Sequence, residues 1–197
     1  MSRSDLLTPL LVALRDLTAW FTAEAVSGVL IGGVAVSLLG RPRFTRDIDY
    51  MVVLDETRWE GFLASGTRFG FVPRRPDAIA FARKVRVLLV RHDPSGIQTD
   101  ISFGALPFEH EAISRVIHAE VAGIDVALPT PEDLIIMKAV AHREQDMLDI
   151  RALLQAHPKL DRRRVRRWVR EFAAVLERPE IFDDLQRLLT RQGGRRP

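Results

Sequence analysis

Three acidic residues stand where their spacing could do chemistry. Asp47 and Asp49 lie two apart in Asp47-Ile48-Asp49-Tyr50-Met51-Val52-Val53, and Asp100 sits in a similar run, Ile97-Gln98-Thr99-Asp100-Ile101-Ser102. On a strand, residues i and i+2 share a face about 6.5–7 Å apart, so Asp47 and Asp49 can converge on the same small ions while Ile48 points into a core. Two acids on one face repel each other, and a bound dication relieves that repulsion. Magnesium suits such a place, because it takes hard oxygen ligands and is usually shared with substrate phosphates. Two such ions about 3.5–4 Å apart stabilise the attacking and leaving oxygens of an in-line displacement. Asp100, from a neighbouring strand, would complete the set as a metal ligand or as general base for an acceptor hydroxyl.

Gly32-Gly33 supplies the other half. A diglycine turn between strand and helix lets backbone N–H groups approach a triphosphate with no Cβ in the way. The helix N-terminus beyond it adds a favourable dipole. Ser37, Arg43, Thr45 and Arg46 lie on the helix and loop leading to the acids and are candidate phosphate contacts, since Arg offers a planar donor fork. Taken alone, an Asp-x-Asp pair also fits an exposed strand end, and two glycines fit a plain turn. The ordered combination with Asp100 points to nucleotide chemistry. The histidines show no metal-ligand spacing, and the absence of cysteine excludes disulfides and thiolate metal sites.

The elements that must position these residues follow from periodicity. Leu6, Leu7, Leu10, Leu11, Leu14, Leu17 and Phe21 recur at three- and four-residue steps and predict a helix over 5–22. A buried strand over 29–31 runs into the glycines, a short helix covers 34–39, and Pro42 keeps the next loop out of helix. Strands are expected from Asp47 to Val53, over 69–72, and as a hairpin of 85–91 with 97–103 around His92-Asp93-Pro94-Ser95-Gly96. A helix capped by Asp55 runs to about 67, another covers 107–116, and two short strands flank Gly123. From Thr130 the texture is helical, over about 131–142, 144–156, 161–177 and 179–191. The expected fold class is therefore α+β: a small mixed β-sheet core flanked by helices over 1–129, a helical C-terminal part over 130–192, and a disordered end at 193–197.

The run from Val29 through Gly32-Gly33 to Arg46-Asp47-Ile48-Asp49, followed by Asp100, resembles the core motif of the polymerase-beta-like nucleotidyltransferase superfamily. Pro131-Glu132-Asp133-Leu134-Ile135-Ile136-Met137-Lys138 and Arg143-Glu144-Gln145-Asp146-Met147-Leu148-Asp149-Ile150 sharpen the match, because they resemble the helical segment of its AbiEii-type, toxin-like branch. The resemblance covers roughly 29–155. It implies a magnesium-dependent enzyme that moves a nucleotide from an NTP to an acceptor such as the 3′ end of tRNA, as a toxin with an antitoxin partner. It gives Lys138 a role on the triphosphate or base and makes Arg143, Asp146 and Asp149 a polar face nearby. An intramolecular salt-bridge cluster is the other reading of those three, since helix spacing puts them within reach of one another.

Bulk properties fit a protein of the cytoplasm. The chain has 197 residues, 47% of them hydrophobic, enough for one real core. No membrane span or signal peptide is expected, because Arg15 and Asp16 interrupt the only apolar stretch near the start. The formal charge is +3, yet residues 159–197 carry twelve Lys/Arg against six Asp/Glu. The basic helix around Arg162-Arg163-Arg164-Val165-Arg166-Arg167 suits an RNA acceptor, and equally a solvated face. Two rival functions stay open: transfer to a small molecule or protein side chain, and a nucleotide-binding regulatory module with little turnover.

Overall fold

The leucine spacing near the start builds helix α1, Arg3–Ala23, whose residues Ala13, Leu14, Leu17, Trp20 and Phe21 are buried. The computed structural model describes residues 3–42, 45 and 47–191. Arg43, Arg46 and the expected disordered end at 193–197 lie outside the described residues. The chain divides into two compact units, one of Met1–Val34 with Phe44–Leu128 and one of Ala35–Arg43 with Pro129–Pro197.

The first unit is built on a mixed five-stranded sheet. Its strands are β1 (Gly28–Ile31), β2 (Asp47–Val52), β3 (Phe71–Pro73), β4 (Val87–His92) and β5 (Ile97–Phe103), in the spatial order β1-β2-β5-β4-β3. The β2–β5 pair is parallel and the others are antiparallel. Helix α2, Gly32–Leu39, leaves the end of β1 directly. The stretch after Asp55 is broken into a 3-10 turn (Glu56–Arg58), helix α3 (Trp59–Gly66) and a second 3-10 turn (Thr67–Phe69), in place of one continuous helix. Asp55 does cap its start, accepting from the Thr57 N–H at 2.9 Å.

Alternation along the strands divides the sheet into two faces. Leu30, Ile48, Tyr50, Thr99, Ile101, Leu88 and Val90 are all buried on one of them. Trp20 of α1 stacks on Phe62 of α3 at 4.3 Å and on Phe71 of β3 at 5.2 Å, and Phe21 meets Tyr50 edge-on at 4.9 Å. Such aromatic pairs add directional packing to apolar burial. Helix α4 (Ala78–Val85) was not expected from periodicity: it follows Arg-Arg-Pro-Asp, spans only eight residues, and ends where Arg86 turns left-handed at φ 57°. Helix α5 (Pro107–Ser114) and the hairpin β6 (Ile117–Val121) with β7 (Ile124–Leu128) complete the unit.

The second unit is helical, with α6 (Pro131–Ala141), α7 (Glu144–Ala156), α8 (Arg162–Val175) and α9 (Pro179–Arg191) around Leu134, Ile136, Leu153, Val165, Val169 and Leu185. Thr130 caps α6 by accepting from the Asp133 N–H, and Asp161 caps α8 by accepting from two N–H groups. The segment 35–43 belongs here, held by the His157 imidazole donating to the Leu39 carbonyl at 2.5 Å. Buried Asp133 and Arg164 tie α6 to α8 through an ion pair at 2.7 Å. Among the described residues no helix is long and apolar enough to cross a membrane.

Candidate active site

The register of the parallel pair fixes the acids. Asp49 on β2 lies directly opposite Asp100 on β5, and Asp47 lies opposite Gln98. Because side chains alternate, Asp47, Asp49, Gln98 and Asp100 share the face opposite the buried one that carries Ile48, Thr99 and Ile101. Asp47 is exposed, and Asp49 and Asp100 are half-buried. The row continues across the sheet, with Ile31 opposite Asp49 on one side and Leu89 opposite Asp100 on the other.

Gly32 opens α2 at φ +66°, a left-handed conformation that side chains rarely adopt. A Cβ there would fall 1.8 Å from Oδ2 of Asp49. The diglycine bend therefore sits directly against the second acid, and glycine is required for that close approach. Gly33 is buried in the first turn of α2. Thr45 donates its hydroxyl to the Asp47 carbonyl at 3.4 Å, at the entry of β2, and Ser37 is half-buried on α2.

Asp100 is held between opposing influences. Partial burial pushes its carboxyl above the usual range, the Arg74 guanidinium opposes this, and the negative charge of Asp47 adds to the rise. Arg74, just beyond β3, donates through Nη2 to the Asp100 carboxylate and through Nη1 to the Gln98 amide oxygen. Neither Arg74 nor Gln98 stands out in the sequence. Arg74 is 26 residues from Asp100 and follows another strand, so no local pattern couples them.

The donor set fits a hard cation: three carboxylates on one face, two of them cross-strand partners, beside a glycine that leaves room for no side chain. As the side chains stand, no three acidic or imidazole groups among the described residues are gathered at ligand distance, and Asp100 is turned to Arg74. Two hollows of this unit lie elsewhere. One of about 900 Å³ runs along α1 past Arg15, Thr18 and Thr22 to Gly123 and Asp125. Another, of about 730 Å³, reaches Tyr50, His110 and His118. The Tyr50 phenol there is pushed above its ordinary value by burial and, secondarily, by Asp125.

In the helical unit, Lys138 is buried and its ammonium bridges Asp146 at 2.9 Å and Asp149 at 3.1 Å. Asp146 also accepts from Nε of Arg143 at 3.0 Å and from its main-chain N–H at 3.1 Å. Gln145 donates to Asp149 at 3.0 Å. Burial pulls the Asp146 carboxyl up, but the hydrogen bond and charge of Lys138, then Arg143, hold it below the ordinary range. These four residues thus form a closed ionic lock between α6 and α7. On α8, Arg162 donates to the Leu189 carbonyl, Arg166 to Gln186, and Arg170 lies over the Phe182 ring. Much of its basic character is already used to pin α9, while Arg163 and Arg167 are exposed.

Solved structures share this fold. An antigenic nucleotidyltransferase-like protein from Paracoccidioides brasiliensis aligns over 94% of each chain at 16% identity, with a TM-score of 0.52. The antibiotic-resistance factor ANT(2'')-Ia in solution aligns over 90% of this chain and 97% of its own, at 18% identity and TM-score 0.57. The same factor in complex with adenylyl-2''-tobramycin aligns over 82% and 95%, at 18% identity and TM-score 0.52. No curated protein matches the sequence significantly. The profile of the family described as "Nucleotidyl transferase AbiEii toxin, Type IV TA system" matches residues 15–193. With that match running through both units, the chain belongs to the AbiEii family and is a nucleotidyltransferase.

Proposed function

We propose that this enzyme transfers an NMP from an NTP to an acceptor hydroxyl with magnesium held by Asp47, Asp49 and Asp100. The observation that carries the reading is the register that sets Asp49 against Asp100, with Asp47 two residues before and the Gly32 bend against Asp49. The bound ions, two in number on this reading, would neutralise the triphosphate and stabilise charge on the attacking and leaving oxygens. The chain's own groups do the rest. Main-chain N–H groups of Gly32 and Gly33 and the start of α2 orient the phosphates, with Ser37, Arg43, Thr45 and Arg46 as further contacts. Asp100 takes the proton of the acceptor hydroxyl. The acceptor oxygen bonds to the α-phosphorus, the bond to the bridging oxygen breaks, and pyrophosphate leaves. Lys138 and its partners Arg143, Asp146 and Asp149 assist by holding α6 and α7 in place.

The acceptor proposed first is RNA, such as a tRNA 3′ end, in a toxin paired with an antitoxin in the cytoplasm. The toxin–antitoxin description of the family and the exposed Arg163 and Arg167 favour it. A small hydroxylated molecule is the second reading, favoured by the fold shared with ANT(2'')-Ia, whose complex holds adenylyl-2''-tobramycin. Labelled NTPs, magnesium and total tRNA are the test, with mass spectrometry of RNA, protein and small-molecule acceptors. Label on RNA that disappears in Asp47→Asn supports the first reading. Label found only on a small molecule replaces it with the second, and no transfer to any acceptor defeats both.

A further inference from the structure

Arg74 differs from the other arginines at its edge of the sheet. Its main-chain N–H donates to the Leu89 carbonyl at 3.0 Å, which puts it next in the row Asp49, Asp100, Leu89. Arg75 and Arg91 form exposed pairs with Asp77 and Asp93, each two residues away. Pairs of that kind contribute little and exchange readily with solvent. Arg74 instead reaches across to the carboxylate face, where its side chain is only 21% exposed. Its Nε is buried and, among the described residues, has no hydrogen-bond acceptor. A buried donor left unpaired costs free energy, so among the described residues this guanidinium is incompletely satisfied.

We propose that Arg74 is the resident counter-cation of the carboxylate face and has two positions. It neutralises Asp100 when no divalent cation is bound, gives Asp100 up when one binds, and then donates its guanidinium, Nε–H included, to a phosphate oxygen of the nucleotide. This rests on the reading of Asp47, Asp49 and Asp100 as metal ligands. A guanidinium and a dication repel each other and compete for the same carboxylate oxygens. A triphosphate offers the planar fork the acceptors that Asp100 and Gln98 leave unfilled. Metal and nucleotide binding are therefore coupled, because each favours the same position of Arg74.

Manganese is the probe, titrated into the full chain at about pH 8, where carboxylates are ionised. Free ion is counted by electron paramagnetic resonance, with and without a non-hydrolysable NTP analogue. Without nucleotide, Arg74→Gln should bind manganese about tenfold more tightly than the wild type, and Arg74→Lys should fall between them. In both variants the analogue should strengthen manganese binding less than it does in the wild type. Arg91→Ala, one row away on β4, removes a charge without removing the competitor and should shift affinity by less than about threefold. Thermal melts establish that each variant is folded. If Arg74→Gln does not fold, Arg74→Lys is held to the same two criteria. The proposal is overturned by a folded Arg74 variant that gains no more manganese affinity than Arg91→Ala, or that keeps the wild-type response to nucleotide. Asp47→Asn and Asp49→Asn separate this from its premise. If they leave manganese binding intact, the acids are not the ligands. If they abolish it while the Arg74 variants behave as wild type, only the role of Arg74 fails.

Discussion

The helical unit buries a lysine between two carboxylates, whereas the sheet unit lines up three carboxylates on one face with a guanidinium against the last of them. In the first cluster Lys138 and Arg143 meet Asp146 and Asp149 at hydrogen-bond distance, and the charges balance within the protein. In the second, Asp47 is exposed, Asp49 and Asp100 are half-buried, and burial, opposed by Arg74 and aided by the charge of Asp47, lifts the Asp100 carboxyl. Closed clusters of the first kind hold elements together. Clusters of like charge at the surface carry a standing electrostatic cost that a cationic ligand relieves. The contrast is one of charge balance: the first group pairs its charges within the protein, and the second leaves like charges on one face.

The largest expected effect breaks the closed cluster. Lys138→Met removes the buried ammonium that Asp146 and Asp149 share and should lower stability by about 3–5 kcal/mol, measured by denaturant unfolding. Adding Asp146→Asn and Asp149→Asn should recover much of that loss. Second, Asp47→Asn and Asp49→Asn should cut nucleotide transfer by at least about a hundredfold, the minimum expected for loss of a metal ligand. Their melting temperature should hold or rise, because a like charge is removed from the face. An equal loss of stability in both clusters would erase the contrast. Third, Gly32→Ala must fit a Cβ against Asp49 at a positive φ, so stability should fall by about 1–3 kcal/mol and transfer should fall with it.

The smallest effect concerns acid. The carboxyl of Asp146 is held below its unfolded value of 3.8, so its contribution to stability is full above about pH 4. That contribution is lost as pH falls through the lowered folded value. Carbon NMR titration of the Asp146 carboxyl should therefore show a midpoint below that of an unfolded aspartate. A midpoint at or above it would mean that Lys138 does not outweigh burial there.

Much of this was legible in local patterns. The hairpin strand 97–103, the helices from Thr130 onward and the two strands around Gly123 follow from alternation, caps and turn residues acting within a few positions. Asp47 and Asp49 share a face because a strand alternates, which needs no knowledge of its neighbours. Helix α4 escaped because eight residues after Arg-Arg-Pro-Asp give too short a period. The break of the segment after Asp55 into 3-10 and α turns also escaped, since it depends on how Trp59 and Phe62 settle against Phe103 and Trp20.

By itself, then, the order of residues determined the strand–diglycine–helix beginning, the Asp-x-Asp strand and the helices from Thr130 onward, because each arises from interactions between near neighbours in the chain. Only the tertiary structure decided that Asp100 stands opposite Asp49, that a Cβ at Gly32 would strike that acid, that Arg74 reaches Asp100, and that Lys138 closes on Asp146 and Asp149. Those pairings depend on strand order, register and helix packing, which arise when distant segments bury apolar surface together and which no local spacing encodes.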